Sequence, residues 1–498
     1  MVVRVDWRVS LGYAATVLRW IAGCLLLPLF VALLTGADVL AFSVTAVVAL
    51  TGSFLLDAVG EDGDLGGREA VLLVSLVWVL AGLVGALPYV LAGDGTVATP
   101  ANAVFESVSG FTTTGATVMA DVSLAAHSRA VMLWRQETQW LGGMGIVVLA
   151  VALFERLSVG GFHLVEAESP GPELHKLTPT ITETARTLWR VYALVTAVEL
   201  ALLYALHLAG LAPKMTFYMA LSHAFSTLAT GGFSPAAQSV AAFSAAVQWV
   251  IIPFMVVAGV NFALLAEALG GDTDSLRADP ETRVYLGVLA ALGALLFGAL
   301  AVGGQYPLLG SLRHAVFQAV SIVTTTGYAS VDFNTWSDAL QTLLVAAMFI
   351  GGSAGSTGSA VKIIRWVVIA KSVRRALFTT AHPAALRSIR VGGEVVDDST
   401  VRDIHAFTLL YLGLFAVGTL AVLAAGTAGA GTLTTQEAMS AVAATLGNVG
   451  PGVDVVGPMN NYLVLPLGSK LLLCAYMVLG RLEILTVLVL LTREFWRV

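Results

Sequence analysis

Phe-Thr-Thr-Thr-Gly-Ala, residues 111–116, recurs almost unchanged as Val-Thr-Thr-Thr-Gly-Tyr at 323–328. Two related strings are Leu-Ala-Thr-Gly-Gly-Phe at 228–233 and, more divergent, Gly-Asn-Val-Gly-Pro-Gly at 447–452. Each string follows a short amphipathic stretch and lies between two long apolar segments. A single Thr-Gly string would carry little information, but four at equivalent places indicate that a unit of two long helices and a re-entrant loop is repeated four times.

The composition is that of a membrane protein. Of 498 residues, 57% are hydrophobic and 12% are charged, and the mean hydropathy is +0.85. Soluble domains carry roughly 25% charged residues, whereas apolar runs of about 20 residues, which recur here, are long enough to cross a bilayer. The net charge of −6 gives no indication of nucleic-acid binding. The two cysteines, Cys24 and Cys474, offer neither a disulfide framework nor metal-ligand spacing.

The apolar runs predict an all-α membrane protein with ten spans. Two N-terminal transmembrane helices, at about 12–35 and 39–56, precede four fused helix–pore loop–helix repeats with pseudo-fourfold symmetry. The elements of the repeats are expected at 69–92, 101–111 and 130–156; 182–210, 214–228 and 241–268; 282–302, 310–323 and 336–372; and 402–425, 434–446 and 460–492. The predicted domains are an N-terminal region at 1–67 and four pore repeats at 68–158, 159–270, 271–400 and 401–498.

Basic residues place both termini in the cytoplasm. An even number of spans puts the termini on the same side, and basic segments flanking spans stay on the cytoplasmic side. We therefore expect a multi-pass protein of the cytoplasmic membrane whose four loops enter from outside. The basic residues are Arg4 and Arg8 at the start, Lys371, Arg374, Arg375, Arg387, Arg390 and Arg402 in the 371–402 connection, and Arg493 and Arg497 at the end.

The glycine loops have the chemistry of a cation-selective filter. Backbone carbonyls can replace the water that a cation sheds inside a membrane, without a fixed charge that would trap the ion. Pointing successive carbonyls at one axis requires backbone angles that glycine adopts readily. The chain is therefore predicted to conduct K⁺, with Gly115, Gly231, Gly327 and Gly450 as the equivalent glycines and no transition-metal site or bound cofactor. The predicted ion-binding residues are Thr112, Thr113, Thr114 and Gly115; Ala229, Thr230 and Gly231; Thr324, Thr325, Thr326 and Gly327; and Asn448, Val449 and Gly450.

The residues around these loops resemble the TrkH branch of the TrkH, KtrB and HKT superfamily of potassium transporters, over essentially the whole chain. The two lead helices and the chain length favour that branch over the shorter KtrB branch. Asn448-Val449, where threonines stand in loops 1 and 3, departs most from a potassium-channel signature. The matching motifs are 105–110 leading into Thr112–Gly115, Gln139-Trp140-Leu141-Gly142-Gly143-Met144-Gly145, 351–358 followed by Lys362 and Arg365, and Gly480-Arg481-Leu482-Glu483.

The resemblance implies potassium uptake by a homodimer in the lipid bilayer. It also implies a cytosolic TrkA-type nucleotide-binding regulatory subunit. No nucleotide site is visible in this chain, so we expect such regulation to come from a separate chain.

Residues 351–359 contain four glycines and three serines, too poor a helix former to continue a span. Close packing of small residues is one interpretation, while a phosphate loop is excluded because no Lys-Ser or Lys-Thr follows the last glycine. The resemblance implies instead a flexible gating plug beneath the filter. Its predicted residues are Gly351, Gly352, Gly355, Ser356, Thr357 and Gly358.

Lys470 and Arg481 both lie on the last long helix. Eleven residues are three turns plus about 20°, so both side chains project from one face, ~16 Å apart. Because charges inside a membrane usually face a cavity or a partner, the hypothesis is that Lys470 faces the pore as an electrostatic barrier. Arg481 is expected either to contact the 351–359 plug or to reach the cytoplasmic interface.

Two other classes of function remain to be weighed. A symporter that couples K⁺ to Na⁺ or H⁺ is the alternative; midplane carboxylates would support it, but acidic residues cluster at the ends of the predicted helices. An intramembrane enzyme is disfavoured because no zinc-binding His pair, Ser/Lys dyad or paired membrane aspartates stand at suitable spacing. We therefore predict a transporter and not an enzyme.

Overall fold

A computed structural model describes residues 5–154, 181–427 and 431–496. Arg4, Arg497 and the predicted domain boundary at 158–159 lie outside these ranges. The helices are α1 (Trp7–Cys24), α2 (Leu26–Thr35), α3 (Val39–Val59), α4 (Gly67–Ala92), α5 (Pro100–Phe111), α6 (Arg129–Phe154), α7 (Ile181–Leu208), α8 (Phe217–Leu228), α9 (Ala245–Ala258), α10 (Phe262–Leu269), α11 (Thr273–Ala278), α12 (Pro280–Gly303), α13 (Leu308–Val323), α14 (Asp338–Ala347), α15 (Ile363–Ala381), α16 (Asp398–Ala425), α17 (Thr435–Leu446), α18 (Leu467–Arg481), α19 (Leu485–Leu488) and α20 (Arg493–Trp496).

Several of these helices are long and apolar enough to cross a membrane. Within the described ranges six qualify, with α1 and α2 together forming one, and the number rises to eight if two bent pairs each count as one span. The prediction of ten continuous spans is therefore too simple. Two of the ten predicted spans are not among these eight. One is α6, which carries the polar run Arg135–Gln139, and the other is 336–372, which is broken into α14 and α15.

The second long helix of the last three predicted repeats is not continuous. The helices α9 and α10 meet at 105°, and α18 meets the segment Leu485–Leu491 at 111°. At the second bend, Glu483 and Ile484 have φ of 57° and 52°, a left-handed conformation that stops a helix of L-residues. The break between α14 and α15 is longer and contains the glycine- and serine-rich run, as its composition indicates.

The four short helices α5, α8, α13 and α17 lie in the interior of the molecule. Their C-terminal halves are buried on every side, from Phe105 to Phe111, Ser222 to Leu228, Phe317 to Val323 and Ser440 to Leu446. Local signals begin these helices: Pro100 takes the first position of α5, where its missing N–H costs nothing. The Thr434 hydroxyl and the Glu437 carboxylate form a reciprocal capping box at α17.

The connection 382–397 contains a β-hairpin, which corrects the all-α prediction. Strands β1 (Ile389–Val391) and β2 (Glu394–Val396) pair antiparallel, with Ile389 opposite Val396. Gly392 and Gly393 join them with φ of 61° and 96°, and positive φ at both central residues is what a two-residue type I′ turn requires. The Gly-Gly pair was the local signal for this turn.

Candidate functional site

A loop of four residues follows each short helix. We number them loop 1 (112–115), loop 2 (229–232), loop 3 (324–327) and loop 4 (447–450). The amide of the third residue in each loop donates to the carbonyl five residues earlier in the preceding helix, so the four loops leave their helices in the same way. These bonds join Thr114 to Ser109 at 2.9 Å, Gly231 to Ser226 at 2.9 Å, Thr326 to Ser321 at 2.9 Å and Val449 to Ala444 at 2.8 Å.

The backbone conformation of the loops is also shared. The second and fourth residues of every loop have positive φ, whereas the first and third do not. The second residues are Thr113 (52°), Thr230 (52°), Thr325 (60°) and Asn448 (53°), and the fourth are Gly115 (80°), Gly232 (77°), Gly327 (74°) and Gly450 (99°). A left-handed conformation costs a non-glycine residue roughly 1–2 kcal/mol, so four strained residues at one position indicate a functional constraint.

This geometry corrects the predicted alignment of loop 2. The glycine equivalent to Gly115 is Gly232, because Gly231 takes the third position, where loops 1 and 3 have threonine. Gly231 was paired with Gly115 from the sequence because each directly follows a threonine. Two adjacent glycines left the choice open by one residue, and only the backbone angles decide it.

The four loops contact one another in cyclic order. A Cβ built on the fourth residue of one loop would collide with the carbonyl oxygen of the third residue of the next, so only glycine allows this approach. The contacts run from Gly115 to Gly231, from Gly232 to Thr326, from Gly327 to Val449 and from Gly450 back to Thr114. The four glycines also line one cavity of ≈ 90 Å³.

Threonine side chains brace loops 1 and 3 from within. The hydroxyls of the first and third residues lie 2.7 Å apart in both loops, Thr112 with Thr114 and Thr324 with Thr326. Loop 4 joins this arrangement through the side-chain amide of Asn448, which donates to the Thr114 hydroxyl at 2.9 Å. Loop 2 has Ala229 and Gly231 at the two threonine positions and therefore has no such hydroxyl pair.

A buried ion pair that the sequence analysis missed connects loops 1 and 2. Arg135 Nε lies 2.6 Å from Glu106 Oε1, and both side chains are almost fully buried. The Glu106 carboxylate accepts the amide of Val118 beyond loop 1 at 2.9 Å, while Arg135 donates to the Ser234 carbonyl beyond loop 2 at 3.0 Å. The Arg135 guanidinium also stacks on Phe233, with Cζ 3.5 Å from the ring centroid.

The irregular segment 348–362 lies against loop 3 and the end of α8. The Thr357 hydroxyl is 3.0 Å from the carbonyl oxygens of both Leu228, the last residue of α8, and Ala258, the last of α9. The Ser359 amide donates to the Thr325 hydroxyl in loop 3 at 2.9 Å. These contacts bring the segment to one predicted ion-binding loop and to the helix end that leads into another.

Two charged side chains, Glu281 and Lys362, make further hydrogen bonds to this segment and to the start of α15. Glu281 Oε1 accepts the amides of Ala354 at 2.9 Å and Ile364 at 3.0 Å. Lys362 Nζ donates to the Gly358 carbonyl within the segment. The segment thus makes many hydrogen bonds to its surroundings, and the flexible plug implied by the resemblance stays a prediction.

Arg481 is 2% exposed and donates to this segment. Its Nη1 lies 2.7 Å from the Thr357 carbonyl oxygen and 2.9 Å from the Ser359 hydroxyl. Nη2 reaches the Gly142 carbonyl of α6 at 3.1 Å. No ion pair found among the described residues includes Arg481, so backbone carbonyls and one hydroxyl supply its partners.

Lys470 is placed differently from the hypothesis. Its Nζ donates to Asn102 Oδ1 at 2.8 Å, in the first turn of α5, and Lys470 is not among the residues that line the cavity between the loops. The helical spacing of Lys470 and Arg481 gave their relative direction but not the rotation of the helix. The structure therefore gives no support to a pore-facing Lys470.

Two carboxylates lie away from helix ends, contrary to the acidic pattern read from the sequence. Glu137 is in the middle of α6 and Glu199 is in α7, and both are buried. Neither takes part in an ion pair with the residues placed by the structure.

Comparison with known proteins gives consistent similarities. The sequence pattern of the TrkH family, described as a cation transport protein, matches residues 64–496. The Trk system potassium uptake protein TrkH of Halomonas elongata is 41% identical over 87% of both chains. The protein of the same name from Salmonella typhimurium is 40% identical over 96% of both chains. The crystal structure of the potassium transporter TrkH from Vibrio parahaemolyticus superposes with a TM-score of 0.87, at 34% identity, over 99% of this chain and 100% of the other.

Proposed function

The chain belongs to the TrkH family of cation transport proteins, and from that premise we propose that it takes up potassium through a pore between its four loops. The family is one of transporters and not of enzymes, and several helices are long enough to cross a membrane. The observation that carries the proposal is the cyclic contact of the loops, from Gly115 around to Thr114.

The pore is proposed to be a selectivity filter of backbone oxygens. Left-handed and right-handed residues alternate in each loop, and such alternation turns successive carbonyls towards the same side of the strand. Four loops with the same alternation, packed in a ring, would surround one axis with carbonyl oxygens that replace the hydration shell of K⁺. The C-terminal ends of α5, α8, α13 and α17 lead into the loops, so the helix dipoles add partial negative charge there.

The four loops belong to four fused repeats with pseudo-fourfold symmetry in this proposal. Shared φ angles, shared hydrogen bonds and one glycine contact per neighbouring pair support it. The basic residues of the 371–402 connection favour an orientation with that connection and both termini in the cytoplasm. The chain would then be a multi-pass protein of the cytoplasmic membrane, with the loops entered from outside.

Segment 348–362 is proposed to gate this pore from the cytoplasmic side. It contacts the end of α8 through Thr357 and loop 3 through Ser359, which is where an ion leaving the filter would pass. Arg481 would hold the closed position through its bonds to Thr357 and Ser359. Opening then requires these charge-assisted bonds to be released, each of which is worth about 1.5–3 kcal/mol.

Binding of a partner subunit is proposed to break these hydrogen bonds. Relatives carry the name Trk system, and we extend the proposal to a cytosolic TrkA-type nucleotide-binding subunit and a homodimeric assembly. The basic connection containing β1 and β2 follows α15 directly, and α15 begins where the segment ends. A subunit bound to this connection could therefore pull on the segment.

A K⁺ symporter coupled to H⁺ or Na⁺ is the second candidate. The observation that favours it is Glu199, a buried carboxylate in the middle of a membrane-length helix, without an ion-pair partner in the described ranges. Such a residue marks ion or proton pathways in many transporters. Reversal potentials measured against separate K⁺, Na⁺ and H⁺ gradients distinguish the two candidates, because an uncoupled pore follows the K⁺ gradient alone.

Rubidium uptake by the purified chain in liposomes tests the proposed function. We expect uptake that K⁺ competes against more strongly than Na⁺, in the wild type with a candidate cytosolic partner and in the Arg481→Gln variant without it. Folded protein that takes up no rubidium under either condition, or for which K⁺ and Na⁺ compete equally, would contradict the proposal.

A further inference from the structure

We infer that Gln139 on α6 is a positioning residue for loop 2, supplying from another part of the chain the side chain that this loop lacks. The inference rests on the proposed function, since it concerns how one quarter of the proposed filter is held. Loop 2 would then differ from the other three loops because a side chain from α6, and not one of its own, holds it in place.

The Gln139 amide makes three hydrogen bonds around loop 2. Its Nε2 donates to the Gly231 carbonyl at 2.6 Å. Its Oε1 accepts the Ser226 hydroxyl at 2.6 Å and the Phe233 amide at 3.1 Å. These partners lie before, within and after the loop, so a single fully buried side chain fixes the whole bend.

The space that Gln139 fills is occupied by loop side chains elsewhere. In loops 1 and 3 the third residue is threonine, whose hydroxyl contacts the threonine at the first position. In loop 4 the third residue is Val449. A Cβ built on Gly231 would instead collide with the Gln139 side-chain amide. Gly231 is therefore a glycine because Gln139 packs against it, and not because of its φ, which is not positive.

The contact also changes the chemistry of one carbonyl. Thr114, Gly231, Thr326 and Val449 present the third-position oxygens that pack against the neighbouring loops. Of these four oxygens, only that of Gly231 accepts a hydrogen bond from a side chain in the described part of the chain. A carbonyl that already accepts a hydrogen bond is a weaker ligand for a cation, because part of its electron density is engaged. The ion site at this level would thus have three strong ligands and one weaker one.

Gln139→Leu tests the role directly, because leucine keeps the approximate bulk and removes all three hydrogen bonds. The matched control is Gln136→Leu, at a buried glutamine on the same helix, for which no hydrogen bond to the loops is found in the described residues. We expect Gln139→Leu to lower the preference for K⁺ over Na⁺, measured by competition against rubidium uptake in liposomes. Of the three bonds, only the one to the Gly231 carbonyl acts directly on a proposed ion ligand. The loss of one ordinary hydrogen bond corresponds to about a fivefold change in this ratio, and Gln136→Leu should keep the wild-type ratio.

A compensating double variant separates positioning from general damage. Gln139→Ala/Gly231→Val removes the bracing side chain and gives loop 2 the third residue that loop 4 has. We expect it to recover discrimination relative to Gln139→Leu, whereas Gly231→Val alone should lose it because valine collides with Gln139. If Gln139→Leu does not fold, a folded and selective double variant still supports the inference, and a double variant without folding or selectivity contradicts it.

The outcomes distinguish this inference from the proposed function. Wild-type protein that does not prefer K⁺ over Na⁺ would contradict the function itself. Wild-type preference together with an unchanged ratio in folded Gln139→Leu would overturn only the role of Gln139.

Discussion

Gly450 in loop 4 packs against the carbonyl oxygen of Thr114 in loop 1, so the last loop of the chain closes on the first. Three equivalent glycine–carbonyl contacts join the other neighbouring loops. A ring closed by backbone contacts at this spacing leaves no room for a methyl group at any of the four glycines.

Gly450→Ala is expected to abolish discrimination among alkali cations. The added methyl collides with loop 1, and φ of 99° adds backbone strain of roughly 1–2 kcal/mol. Gly271→Ala is the matched control, since Gly271 has φ of 108° with no atom within 4 Å of its Cβ position. Competition of K⁺ and Na⁺ against rubidium uptake measures the effect, and a Gly450→Ala protein as selective as Gly271→Ala would contradict the role of the ring contact.

Gly232→Ala tests the corrected alignment of loop 2. We expect both Gly232→Ala and Gly115→Ala to impair selectivity, because both positions have positive φ and contact the next loop through backbone atoms. Gly210→Ala shares the backbone strain, with φ of 73°, but has open space around its Cβ position, and it should lower only the thermal stability. If the Gly232→Ala protein stays selective, Gly231 and not Gly232 would be the residue equivalent to Gly115.

Arg481→Gln is expected to raise rubidium uptake in the absence of any partner subunit. Its charge-assisted bonds to the segment are each worth about 1.5–3 kcal/mol, so weakening them should shift the closed state towards the open one by tenfold or more. Lys470→Met is the control on the same helix, because Lys470 contacts Asn102 and not the segment. Basal uptake that is unchanged in Arg481→Gln, or equally raised in Lys470→Met, would count against the gate.

Glu106 and Arg135 should be strongly coupled in stability. Removing one partner of a buried ion pair costs about 3–5 kcal/mol, because the other charge is left without compensation. Glu106→Gln and Arg135→Gln should therefore each lower the thermal unfolding temperature sharply, while the double variant should lose much less than the sum. Thermal unfolding of the four proteins in detergent gives the coupling, and additive losses would mean that the pair does not act as a unit.

The repeated Thr-Gly strings predicted the short helices and the loops because the signal is local. Pro100 and the Thr434–Glu437 capping box begin helices where the sequence placed them. The alignment of Gly231 and Gly232 could not be predicted, since it depends on backbone angles imposed by the neighbouring loops. Gln139 belongs to one of the motifs that resemble the family, but nothing in the sequence indicated its partner. That partner is loop 2, and the contacted residue Gly231 follows Gln139 by about ninety residues.

The positions of the long apolar helices were predicted better than the number and shape of the membrane spans. Hydropathy identifies apolar length, but a bend such as that at Glu483 and Ile484 depends on tertiary contacts. There Arg365 Nη2 lies 2.6 Å from Glu483 Oε2, a contact between distant parts of the chain that hydropathy does not predict. The contact of Lys470 with Asn102 was not predicted for a related reason, because spacing along a helix does not give the rotation of the helix about its axis.

Anomalous diffraction from crystals grown in rubidium tests the central claim most directly. The account predicts rubidium on the axis between loops 1 to 4, in direct contact with the carbonyl oxygens of Thr114, Thr326 and Val449, and displaced by added K⁺ more readily than by Na⁺. Rubidium bound only outside the ring of loops, with the axis closed to it, would contradict the account.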